Sequence, residues 1–382
     1  MALDGLRGMA VLLVMLHHFV RSYDSQSSVH LFLLHATEFM WSGVDLFFVL
    51  SGFLITGILL AERGWPYYFR NFYGRRILRI FPLYYALLLF AFIILPFFHL
   101  QPSSVTRADA LYFLTFTSNI HFALSGWSFH AFDVYWSLAV EEQFYLFWPL
   151  ILLLVPSRYQ LRLVLLGFIA GIIFRFVCIH AGTTSAFLYA MLPCHADGLL
   201  AGAALAIIAK NWSEWPHVSR WASLTLAFLV TAFLFTGSFR EAGLVLYYDA
   251  WNTRGALFYY PILAGCFSIF LYLCIVQSNP IQRFFKNSQL RSLGKYSYCL
   301  YLIHQPIAHV IHSYFGATLF EHHADYMPGV LFDLIQITPL FLVSFAGAAL
   351  SWYALERPLL RLKRYFSNAQ TEQPLTIAAA IP

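Results

Sequence analysis

The stretch Gly43–Ala61, GVDLFFVLSGFLITGILLA, decides the fold class. Its single charged side chain, Asp45, sits near the start. An α-helix needs about 20 such apolar residues to cross the hydrocarbon of a bilayer. Comparable runs recur at Leu6–Val20, Phe81–Leu100, Tyr135–Val155, Leu161–His180, Phe187–Ala209, Trp221–Gly237, Ala256–Val276, Tyr296–Phe315 and Gly329–Tyr353. Together they predict an all-α polytopic membrane protein of about ten transmembrane helices. A further apolar piece, Ala110–Phe122, is too short to span and reads as interfacial or re-entrant.

Composition agrees with that reading. Of 382 residues, 60% are hydrophobic and only 11% are charged, against about 25% charged in soluble domains. Too little charge is available to cover a soluble surface of this size. An ordinary cytosolic enzyme, a nucleic-acid binder and a disordered chain are excluded. The 19% aromatic content suits helices with ring-rich ends at the membrane interface. The five cysteines are odd in number, lie in apolar stretches and form no CxxC, so neither a disulfide framework nor a zinc site is expected. Asp4 and Arg7 before the first apolar run, with no small-residue cleavage site after it, argue against a signal peptide.

Positive charge sets the orientation. With both termini cytoplasmic, 18 of the 23 Lys and Arg residues fall at inner ends, among them Arg7, the Arg63–Arg79 group, Arg283–Lys295 and Arg357–Arg364. Only 4 fall outside: Arg21, Arg107, Arg240 and Arg254. Arg175 lies within a helix. A spanning helix at Ala110–Phe122 would reverse every later loop and destroy this bias. One membrane domain, residues 1–365, and a loose tail, 366–382, are expected.

Ionisable groups inside a bilayer are costly and therefore mark candidate sites. Arg7 and His18 are 11 residues apart, which on a helix is three turns plus about 20°, so they share a face. Their axial separation is about 16 Å. A cation near the inner face and an imidazole near the outer one suit an elongated anion entering from inside; a snorkelling Arg and an interfacial His fit the same spacing. In Arg75-Arg76-Ile77-Leu78-Arg79, Arg76 and Arg79 are helical neighbours whose guanidinium forks match phosphate oxygens, although a lipid-headgroup anchor would look alike. In WSLAVEEQFYLFWP, Glu141 and Glu142 lie about two turns into a helix starting outside. A carboxylate there is placed to meet His18 and orient its ring, or to rest in the wet interface. Asp45, Ser51, His195, Asp197 and His304 read more simply as packing or hydrogen-bonded residues. Adjacent histidine pairs point to different helix faces and no HExxH occurs, so no metal is expected.

Taken in order, the motifs resemble the acyltransferase-3 family of integral membrane acyltransferases. They are LDGLRGMAVLLVMLHHF, GVDLFFVLSGFLITGILL, RRILRIFPLYY, YWSLAVEEQFYLFWPL, LGKYSYCLYLIHQPI and LERPLLR, running over Leu3–Arg361. The resemblance implies transfer of an acyl group, often acetyl, from cytoplasmic acyl-CoA to a hydroxyl, commonly on a carbohydrate or glycolipid, at the extracytoplasmic face. It implies no permanently bound cofactor and a place in a bacterial inner membrane. The family's Arg-x10-His element falls on Arg7 and His18, its RxxR element on Arg76 and Arg79, and its WSLxVE glutamate on Glu141. His18 and Glu141 are then the expected catalytic pair, with Arg7, Arg76 and Arg79 binding the donor. A fused esterase-like domain has no room in this length. One departure stands out: the family's Arg-x-Asp in helix six is His195-Ala196-Asp197 here, which puts a cation there in doubt. The competing class is a transporter or flippase for an amphipathic anion, which would show flux without CoA turnover.

Overall fold

The structure is a computed structural model that describes residues 2–21, 28–37, 39–97, 107–127, 130–210, 225–226, 255–275, 280–316 and 329–366. All regular elements among these residues are helical. The principal ones are α1 (Ala2–Val20), α2 (Gly43–Glu62), α3 (Tyr68–Leu89), α4 (Tyr135–Leu154), α5 (Ser157–His180), α6 (Asp197–Ala209), α7 (Ala256–Ile275), α8 (Ser288–Gly316) and α9 (Gly329–Ser351). Seven of the described helices, α1 to α5, α7 and α9, are long and apolar enough to cross a bilayer. The chain is an all-α polytopic membrane protein. The expected span Trp221–Gly237 lies outside the described residues, except for Thr225 and Leu226. Residues 367–382 of the expected tail lie outside them as well.

Two seams of small residues hold the centre. In the first, α1 and α8 run parallel, with Gly8 against Leu290 and Gly294. A Cβ on Gly8 would fall on the Leu290 carbonyl, and one on Gly294 would fall on the Asp4 carbonyl. In the second, α2 and α6 also run parallel, with Gly198 against Phe48 and the Asp45 carbonyl, Gly52 against the Leu199 carbonyl and Gly202 against the Val49 carbonyl. Lipid offers no hydrophobic drive between helices, so such backbone approach supplies the dispersion contact that holds them. At the periphery, α5 turns Leu165, Leu166, Ile169, Ile173 and Phe174 outward, as a lipid-facing helix does.

Three segments depart from the expected boundaries. Helix α3 starts at Tyr68, thirteen residues before the expected Phe81, so Arg75, Arg76 and Arg79 lie inside a helix rather than before one. The run expected as one helix, Phe187–Ala209, is broken into Ser185–Ala190, Leu192–His195 and α6. Pro193 explains the break: it has no N–H to give, and its ring would clash with the carbonyl four residues back, that of Tyr189. That carbonyl instead accepts a 2.7 Å hydrogen bond from Nδ1 of His195. The start of α8 at Ser288 was hidden by Arg291 and Lys295, which face outward on its first turns.

The Ala110–Phe122 region forms two 8-residue helices, Arg107–Leu114 and Ser118–Ser125. Each is about 12 Å long and far short of a bilayer's ~30 Å core. Phe116 turns the chain between them with φ of 54°, its ring stacked on Tyr84 at 4.3 Å.

Candidate active site

Five helices, α1, α2, α3, α4 and α8, enclose a cavity with about 810 Å³ of empty volume, including space open to solvent. Arg7, Arg76 and Arg79 line it together with Ser51, Glu141 and Tyr145. Along α2 the lining runs from Val44 to Ile55, which on a helix is about 16 Å. On α8 it includes Ser297, Tyr298 and Tyr301.

The positions follow from helical spacing. Arg76 and Arg79 share one face of α3, one turn apart. Arg75, their neighbour, points elsewhere and forms an ion pair with the buried Glu62, its Nη2 2.6 Å from Oε2 and 2.7 Å from Oε1. Arg75 also donates to the Phe366 carbonyl at 2.8 Å. Arg7 has Asp4 one turn back at 3.8 Å. Among the described residues neither Arg76 nor Arg79 has a salt bridge. The Arg76 guanidinium lies 5.3 Å from the centre of the Tyr145 ring.

Glu141 accepts a 2.6 Å hydrogen bond from the hydroxyl of Tyr145, one turn on along α4. With that hydrogen used, the Tyr145 oxygen accepts from the Ser51 hydroxyl. The chain Ser51–Tyr145–Glu141 therefore has one direction. The apparent packing pair Ser51-Gly52 splits: Gly52 packs against α6, and Ser51 faces the cavity.

His18 stands elsewhere. The sequence placed Glu141 beside it, and the structure does not. His18 Nδ1 lies 2.9 Å from the Val14 carbonyl and 3.3 Å from Nε2 of His304, while Glu141 is turned into the arginine cavity. The reason is facing: the side of α4 that presents Glu141 looks at α2 and α3, and α8 supplies the neighbour of His18. The two ends still connect through side chains, because Tyr301 lines the cavity and packs at 5.8 Å on the His304 ring.

A second polar group sits apart from the cavity. His195 Nε2 is 2.8 Å from Asp45 Oδ1, and its ring stacks between Tyr260 at 4.2 Å and Trp136 at 5.4 Å. With a carbonyl at one nitrogen and a carboxylate at the other, the His195 ring is held at both ends. Next to it, buried Arg175 makes a bidentate ion pair with Asp197 and donates to the Cys194 carbonyl. The cation that seemed absent beside Asp197 is thus supplied by α5. Sequence reading left Arg175 unassigned because nothing in its spacing ties it to a residue 22 positions on. Tyr145 was missed as well, although it follows Glu141 by one turn.

The fold and the cavity define an integral membrane protein with a cation-lined chamber. This chain belongs to the acyltransferase-3 family, whose model, described as an acyltransferase domain, matches residues 2–355. It is 28% identical over 94% of its length to the peptidoglycan O-acetyltransferase OatA of Listeria monocytogenes, covering 55% of that protein. It is 30% identical over 80% of its length to the putative peptidoglycan O-acetyltransferase YrhL of Bacillus subtilis, covering 48%. It is 29% identical over 82% of its length to the O-acetyltransferase OatA of Staphylococcus aureus, covering 51%. The chain spans about half the length of these curated relatives. No solved structure matches.

Proposed function

We propose that this chain transfers an acetyl group from cytoplasmic acetyl-CoA to a hydroxyl of a cell-wall carbohydrate at the outer face of a bacterial inner membrane. The observation that carries the reading is the convergence of Arg7, Arg76 and Arg79 on one cavity while Arg75 beside them, and Arg175 elsewhere, are each clamped by a carboxylate. Among the described residues Arg76 and Arg79 have no salt bridge, and Arg7 has only the 3.8 Å contact to Asp4; guanidinium groups so held in low dielectric are suited to an incoming polyanion. CoA phosphates are such an anion, and the long pantetheine arm matches a cavity that extends along α2. The carbohydrate acceptor is carried over from the names of the relatives.

In this reading the three arginines hold the phosphates. Ser51, Tyr145 and Glu141 flank the arm and temper the positive charge. The thioester comes to rest beyond Tyr301, near His18. The acceptor oxygen attacks the thioester carbonyl carbon as His18 takes its proton. The C–S bond breaks, and the proton passes from His18 to the departing thiolate. The products are the ester and CoA thiol.

The test uses the purified chain in vesicles with labelled acetyl-CoA and soluble glycan strands. CoA release that depends on the glycan, together with label in the glycan, is the expected result. An anion transporter would move label across the vesicle without releasing CoA, and that outcome would overturn the reading.

A further inference from the structure

The α1–α8 seam brings a second histidine to His18, and the hydrogen bonds around the two rings leave one arrangement of protons. His304 is fully buried. Its Nδ1 lies 2.7 Å from the Tyr301 carbonyl and 3.1 Å from the Leu300 carbonyl. Carbonyl oxygens only accept, so Nδ1 carries the hydrogen, and in a neutral ring Nε2 bears the lone pair. That lone pair faces His18 Nδ1 at 3.3 Å. His18 Nδ1 also faces the Val14 carbonyl at 2.9 Å. Both neighbours of His18 Nδ1 are acceptors, so it carries a hydrogen shared between them. The basic nitrogen of His18 is then Nε2.

The register is built into the backbone. His18 and His304 are 286 residues apart, as are Gly8 and Gly294, which meet ten residues earlier on each helix. The glycine contact fixes the spacing of the two parallel helices about 15 Å below the rings, and with it the ring-to-ring approach of 5.1 Å.

We infer that His304 is the positioning residue of the transfer: together with the Val14 carbonyl it holds His18 in the Nδ1–H form, so that Nε2 faces the reaction as the base. This rests on the reading of His18 as the base, and it gives His304 the place that the sequence suggested for Glu141. When Nε2 takes the acceptor proton, the Nδ1–H of the resulting imidazolium strengthens its bond to His304. The acceptor in that bond is a neutral nitrogen, so the imidazolium is oriented without being trapped by a carboxylate.

The experiment compares His304→Leu and His304→Gln with the wild-type chain in glycan-dependent CoA release. The Gln amide can set its oxygen where Nε2 stood and accept from His18 Nδ1; Leu cannot. His304→Leu is expected to lower kcat by about 100-fold, the scale of a displaced general base, with the donor KM unchanged. His304→Gln is expected to recover at least a tenth of wild-type kcat. Ring-nitrogen NMR, taken as the difference from His18→Ala, should show the His18 Nδ1–H form in the wild type and a mixture in His304→Leu. Wild-type rate in His304→Leu, or equal losses in Leu and Gln with donor KM intact, overturns the inference. A wild-type chain that releases no CoA overturns the functional reading instead.

Discussion

Two of the charged groups buried in this bundle are built on opposite plans. Around Asp197 and Asp45 each carboxylate has a partner: Arg175 clamps Asp197, and the His195 ring lies against Asp45 between two aromatic rings. Around the cavity, Arg7, Arg76 and Arg79 share the lining with one carboxylate, Glu141, that already accepts from Tyr145, and of the three only Arg7 has an ion pair among the described residues, at 3.8 Å to Asp4. A buried charge with its partner in place is part of the scaffold, and one facing a cavity is free to take a ligand. The difference teaches that intramembrane charge alone does not mark the site. What marks it is cation in excess of anion around a space.

The largest expected effect tests the reacting end. His18→Ala should cut glycan-dependent CoA release by about 10³-fold, within the range general bases contribute, while leaving the donor KM near wild type. Retained turnover in folded protein would remove His18 from the chemistry and leave the cavity as a binding site only.

Next comes the closed group. Arg175→Leu should destabilise the protein by about 3–5 kcal/mol, because it leaves Asp197 buried and unpaired. Thermal unfolding in detergent reads this directly. The double variant Arg175→Leu with Asp197→Leu should recover most of the loss, since removing both charges also removes the desolvation cost. If the double variant is as unstable as the single one, the pair has a role beyond mutual neutralisation.

The same contrast shows what was legible in the sequence. The helical membrane class could be read because lipid demands long apolar runs, and α2 satisfies that demand in isolation. Arg7, Arg76 and Arg79 could be read as a group because helical spacing alone puts Arg76 and Arg79 on one face. The break at Pro193 was legible in principle, since the clash with Tyr189 needs only sequence distance, but the apolar run masked it. Pairings between distant helices were not legible. Arg175 with Asp197, His18 with His304, and the turning of Glu141 toward the arginines depend on how helices rotate against one another. That rotation is set by seams such as Gly8–Gly294 and Gly52–Leu199. A small-residue pattern announces that a seam exists without naming its partner.

Within the basic motif, the comparison narrows to adjacent residues on one helix. Arg76→Ala should raise the apparent KM for acetyl-CoA by about 10- to 100-fold, the value of one or two charge-assisted hydrogen bonds to phosphate, with no loss of thermal stability. Its removal can even steady the apo protein, because Arg7, Arg76 and Arg79 repel one another across the cavity.

Arg75→Ala should do the reverse and on a smaller scale. Its guanidinium is held by both oxygens of Glu62 and by the Phe366 carbonyl, so it ties the end of α2 to α3 and to the residues following α9. The donor KM should move by less than about threefold, because a partly exposed pair is worth about 1 kcal/mol and lies off the cavity. Unfolding should shift down modestly, and Glu62→Gln should shift it by a similar amount. A KM that rises as far for Arg75→Ala as for Arg76→Ala would mean that the whole basic run binds the donor as a diffuse patch. The distinction between paired and facing cations would then fail at the point where the two kinds of residue stand side by side.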